Sequence, residues 1–171
     1  MVNKINEPQP FIRYLLSLAE GQDRGALAAL RLGLGKPPGV VVDTFRYVEP
    51  WLGEKRSAAR ESAHYLVASL FALHPKSIDR GNMGTHMAQT REKNNEDALD
   101  RRFTALLNTH IDDLPVYLRQ TVSYLKSKDV PVNWNELLWD LQNWEEKRED
   151  PRRSVQKKWA GAFWANPSVL Q

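Results

Sequence analysis

A chain of 171 residues with 42% hydrophobic content has room for one sizeable core or two small ones. It has no cysteine, which excludes disulfides, thiolate metal sites and cysteine nucleophiles and fits a reducing compartment. Against 24 Lys and Arg stand 21 Asp and Glu, leaving a net charge of only +3 at a pI near 9.2, so any strongly positive surface must arise from segregation of charge on particular helix faces.

Met1 to Pro10 contains no apolar run of signal length, and no segment approaches roughly 18 consecutive apolar residues. The expected location is therefore cytoplasmic, with no membrane partner. Helical periodicity dominates and Val40 to Val42 is too short to argue a sheet, so the expected fold class is all-α. A first helix is predicted from about Pro8 to Glu20, with Pro10 in its first turn and Phe11, Leu15 and Leu18 on one side. A second runs from Asp23, a suitable N-cap, to Leu32, and ends at Gly33 and Gly35. Phe45, Val48, Trp51 and Leu52 follow at helical steps, with Pro50 forcing an exit. Ser57 to His74 is the strongest helix of this half, with a stripe of Ala59, Ala63, Leu66, Val67, Leu70 and Leu73, and it places His64 and His74 on its flanks.

Between Pro75 and Asn95 the composition turns to Pro, Ser, Gly, Asn, Thr and charged residues without periodicity. This reads as a linker or a functional loop, and it sets the expected architecture: two small helical-bundle lobes, residues 1–90 and 91–171, joined by a central loop. The second half carries Leu99, Phe103, Leu106 and Leu107 on one helix, then Leu114, Leu118, Thr121, Val122 and Leu125 on the next. After an extended Val130-Pro131-Val132, Asn133 is placed to cap a helix with Trp134, Leu137, Leu141 and Trp144 inward. Trp139 falls on the opposite side and is expected to be exposed or covered by a partner. A last helix holds Val155, Trp159 and Phe163.

Catalytic chemistry finds no support. The four histidines have no metal-ligand spacing, and the acids near helix starts suit the helix dipole better than a two-metal cluster. No P-loop, nucleophile elbow or Ser/His/Asp pattern is present. No enzyme activity, cofactor or metal is expected. Gly81 to Met87 is short and glycine-bearing, flanked by Arg80 and Arg91, and a nucleic-acid backbone is the ligand that would suit it, although a plain linker looks the same.

Basic residues are more informative. At roughly 100° per residue, Arg101 points away from the Leu99/Phe103 stripe and Arg102 lies on its shoulder, while Arg119 and Lys126 sit beside the apolar face of the next helix. If the two helices pack together, Arg102, Arg119 and Lys126 merge into one ridge suited to phosphate contacts; ordinary solvated charge is the alternative. Lys147, Arg148, Arg152, Arg153, Lys157 and Lys158 form the densest cluster, at a helix N-terminus where cations oppose the dipole. Either a negative partner or Glu145, Glu146, Glu149 and Asp150 account for them.

Phe45-Arg-Tyr-Val-Glu-Pro-Trp51, the middle loop, Asp100-Arg-Arg-Phe-Thr-Ala-Leu-Leu107, Leu118-Arg-Gln-Thr-Val122, Val132-Asn-Trp134 with Leu138-Trp-Asp-Leu141, and Lys158-Trp-Ala-Gly-Ala-Phe163 occur in that order over nearly the whole chain. Together they resemble the CasB small-subunit family of type I-E CRISPR effector complexes, called Cascade. The resemblance implies a non-catalytic, all-helical subunit, present in more than one copy beside other Cascade subunits and the crRNA, whose basic surface stabilises target DNA, especially the displaced strand. It makes Arg101, Arg102 and Arg119 the leading site residues; Lys126, Arg91, Arg152 and Arg153 complete the expected nucleic-acid contacts. Thr85-His86 stands where relatives often carry Arg, which weakens the case for a phosphate role of that loop. Two other readings remain open at this level: a helix-turn-helix-like DNA-binding regulator, and a protein-only helical adaptor.

Overall fold

A computed structural model describes residues 7–54, 56–146, 150 and 154–166. Among these the chain forms α1 (Pro10–Glu20), α2 (Arg24–Arg31), α3 (Phe45–Val48), α4 (Ala58–Leu73), α5 (Met83–Ala88), α6 (Glu96–Leu107), α7 (Leu114–Ser127), α8 (Trp134–Gln142) and α9 (Val155–Phe163), with short 3-10 turns on either side of α3. No strand occurs among the described residues. One isolated bridge joins Ser77 to Val132, where Ile78 N–H donates to the Val132 carbonyl and Val132 N–H to that of Lys76 (both 3.1 Å).

Local chemistry sets the helix starts. The side chains of Asp23, Ser57, Asn133 and Ser154 each accept from a backbone N–H in the following turn, of Ala26, Arg60, Glu136 and Lys157 respectively. These contacts satisfy donors that the helix itself leaves orphaned. Pro10 and Pro115 occupy first turns, where a missing N–H removes no helical bond.

α4 is the centre of the molecule. From Ala63 to Ala72 every side chain is buried, so the expected stripe is in fact a helix wrapped on all sides. It packs against α2, α7 and α8, and α5 packs against α9. The apolar core is accordingly continuous from Phe11 to Phe163. The division expected at 90/91 separates segments that here lie against one another.

Two expectations for the middle of the chain change. His64 and His74 are buried rather than flanking: His64 Nδ1 lies 2.7 Å from the Arg60 carbonyl with its ring against Phe11, and His74 Nε2 lies 2.7 Å from the Val130 carbonyl. The stretch read as a linker contains α5, started by a capping box in which Asn82 and Thr85 exchange side-chain and backbone hydrogen bonds. Met83, His86 and Met87 point into the core, and Gly84 brings the backbone against Trp159 of α9, where a Cβ would stand 2.8 Å from the carbonyl carbon and nearer still to its oxygen. The Gly81–Met87 segment is thus a packed helix rather than an open phosphate loop.

Candidate nucleic-acid interface

Glu96 and Asp97 occupy the first turn of α6, where negative charge suits the helix dipole. Leu99, Phe103 and Leu106 bury one face, which turns Arg101 and Arg102 to solvent. On α7, burial of Leu118, Thr121, Val122 and Leu125 leaves Arg119, Gln120, Ser123 and Lys126 exposed. α6 and α7 are in contact, and between them lies a surface notch of about 530 Å³ lined by Arg102, Arg119, Gln120, Ser123 and Tyr124. The Arg102 guanidinium stands over the Tyr124 ring, 4.4 Å from its centroid. Arg119 reaches from α7 toward the turn after α2, and a Cβ on Gly35 would lie 2.7 Å from its Nη1. Among the described residues, Arg101, Arg102, Arg119 and Lys126 have no ion pair or hydrogen bond from their charged groups.

The structure therefore lines one notch with Arg102 and Arg119, leaves Arg101 exposed on α6, and places Lys126 about two turns along α7 from Arg119, outside the notch. Arg91, unlike these, is engaged within the fold. Its guanidinium donates to the Phe163 carbonyl (3.1 Å), stands over the Phe163 ring (4.6 Å) and pairs with Asp100 (3.6 Å), fastening the start of α6 to the end of α9. Arg152 and Arg153 lie outside the described residues, as do Lys147 and Arg148. Lys158, from the same basic run, is held by carboxylates: its Nζ pairs with Asp140 and with Glu136 (2.6 Å).

Asp140 was not singled out from sequence, although a carboxylate three residues after Leu137 and four before Trp144 necessarily falls on the apolar face. It is fully buried, accepting from Lys158 and from the Trp159 indole N–H (2.7 Å). Burial pushes its pKa up to about 6 against the pull of those two donors. The assembly ties α8 to α9, with Asp140 and Trp159 buried and the Lys158 ammonium closing it from the exposed side.

A larger groove, about 830 Å³, runs between the Pro37-Pro38 turn, Ala59 and Ala63 of α4, and Leu114 and Pro115 of α7. Among its described lining residues are Lys36, Asp112, Glu145 and Glu146. Among the described residues no group of three or more His, Asp or Glu is placed to hold a metal ion, and no helix is long and apolar enough to cross a membrane.

Among the described residues the molecule is all-helical, and two arginines without ion pairs line a notch between α6 and α7. The family model described as CRISPR-associated protein Cse2 matches residues 26–164, and the chain belongs to that family. Among solved structures it is similar to CasB from Thermus thermophilus, at 29% identity over 92% of this chain and 99% of that one with a TM-score of 0.76. It is similar to M. ruber CasB at 31% identity, over 95% and 93% of the two chains, with a TM-score of 0.72. A chain from a structure of a CRISPR RNA-guided surveillance complex matches at 26% identity, over 94% and 96%, with a TM-score of 0.73. No curated protein matches.

Proposed function

We propose that this chain is a non-catalytic small subunit of a crRNA-guided type I-E Cascade complex and that it stabilises opened target DNA, in particular the displaced strand, by contacts to the backbone that are independent of sequence. Its partners are the other Cascade subunits with their crRNA, the target DNA and further copies of itself. Family membership and the likeness to a chain of a surveillance complex support the place in the assembly. The observation that carries the DNA contact is that Arg102 and Arg119, neither ion-paired among the described residues, both line the α6/α7 notch. In RNA-guided recognition base pairing supplies the sequence specificity, leaving the protein to hold backbones and the displaced strand. The Arg102 guanidinium, unpaired among the described residues and beside the Tyr124 ring, suits that task.

The test is titration of the full chain with random-sequence single-stranded DNA at several salt concentrations. Each phosphate neutralised contributes about 0.7 to the slope of log affinity against log salt. Replacing Arg101, Arg102 and Arg119 together by Glu should weaken binding at least about tenfold and flatten that slope by about 2. An unchanged slope with the fold intact would remove the interface assignment. A site-specific footprint by a dimer would instead favour a helix-turn-helix regulator.

A further inference from the structure

Arginines in this protein are immobilised in two different ways. Arg60 is fixed by donating to the carbonyls of Leu52 (3.0 Å) and Trp51 (3.2 Å), Arg56 by pairing with Glu49 (2.8 Å) and Glu61 (3.3 Å), and Arg91 by the Phe163 carbonyl and Asp100. Each of these loses donors, or charge, to the fold. Arg102 is the exception on the α6/α7 face: it is held by the Tyr124 ring at 4.4 Å. Among the described residues its guanidinium donates no hydrogen bond and has no carboxylate partner. Stacking on a ring face fixes the plane of the guanidinium but leaves its in-plane N–H groups and its charge for something else. Tyr124 is itself half-buried against the core, and its hydroxyl makes no hydrogen bond among the described residues. Its ring alone accounts for the contact.

We propose that Tyr124 is a positioning residue that holds the Arg102 guanidinium with its donors turned to the α6/α7 notch, ready for a nucleic-acid phosphate, with Gln120 and Ser123 supplying neutral hydrogen-bonding groups around it. This rests on the nucleic-acid reading of the notch. Holding the side chain in its bound pose removes a rotamer cost that a long, freely moving arginine meets on binding. The aromatic face, rather than the hydroxyl, is what matters.

The experiment measures affinity of the full chain for a labelled random-sequence single-stranded DNA. Tyr124→Phe, which keeps the ring, should bind within about twofold of the parent; Tyr124→Leu, which removes it, should lose about fivefold, in line with a cation–π contact at a partly exposed site. Placed on an Arg102→Ala background, Tyr124→Leu should cause no further loss, because the ring acts through the arginine. Tyr124→Met keeps the buried volume without a π face and stands in for the Leu variant should that one fold poorly. Parental affinity in the ring-less variants alongside a weakened Arg102→Ala would overturn the positioning role and leave the interface standing. Equal loss in Tyr124→Phe, or a full further loss on the Arg102→Ala background, would overturn it too. Parental binding by Arg102→Ala would remove the interface reading and this inference with it.

Discussion

His86 and Asp140 are both buried titratable groups, and they push the pH dependence of stability in opposite directions. His86 Nε2 accepts from the Asn133 backbone N–H (3.0 Å), while its Nδ1 has no hydrogen-bond partner among the described residues. Burial lowers its pKa from 6.5 to about 4, so the unfolded chain takes up a proton that the folded chain refuses. Its contribution to stability is complete above about pH 6.5 and is lost as the pH falls toward 4, about 2 kcal/mol of it between pH 7 and pH 5. Asp140, raised from 3.8 to about 6, gains its proton more readily when folded, and its burial is relieved as the pH falls through that value. Comparing urea denaturation of the parent and His86→Leu at the two pH values isolates the histidine. The parent's advantage should shrink by about 2 kcal/mol from pH 7 to pH 5, and a constant difference would contradict a neutral, buried His86. At this scale the sequence showed which cations face outward, since Arg101, Arg102 and Arg119 follow from helical periodicity alone. It did not show that Arg91 is held by Phe163 and Asp100 or that Tyr124 lies under Arg102, because both are contacts between different elements.

Elements with strong caps and sustained stripes were legible: α1, α2, α4 and the four helices of the second half lie close to where periodicity and capping residues put them. α5 was not, because six residues give less than two turns of pattern and the glycines around it suggest a loop. The Asn82/Thr85 capping pair was the one local signal for it. What decides α5 is tertiary: Gly84 allows the Trp159 carbonyl to approach. Gly84→Ala should therefore destabilise the protein by about 1–3 kcal/mol through overpacking at the α5/α9 contact. Gly161, on α9 with nothing within 4 Å of a Cβ, is the control, and Ala there should be neutral or stabilising by about 0.5 kcal/mol. Thermal melts of the two variants check the pair. Equal effects at both positions would show that close helix packing is not what selects glycine at 84.

Over the whole molecule, the stretch Pro75–Asn95 that composition marked as a linker or functional loop contains the packed helix α5. That stretch carries one of the joints of the core, as α5 meets α9 while α4 meets α7 and α8. Long-range packing of this kind leaves no trace in local pattern. The result is a scaffold in which α6 and α7 are anchored by Phe103, Leu106, Leu118 and Leu125 beneath an exposed face carrying Arg101, Arg102 and Arg119. Those cations sit on regular helices rather than mobile loops, which favours a fixed array of phosphate contacts. With a net charge of only +3, the proposed function requires such a surface to gain effective concentration from being held beside opened DNA rather than to bind tightly alone. The lifetime of a target R-loop in the assembled complex tests this most directly. With Arg101, Arg102 and Arg119 all changed to Glu, and with folding and incorporation of the subunit intact, the R-loop should dissociate several-fold faster than with the parent; an unchanged lifetime would contradict a DNA-stabilising role for this face.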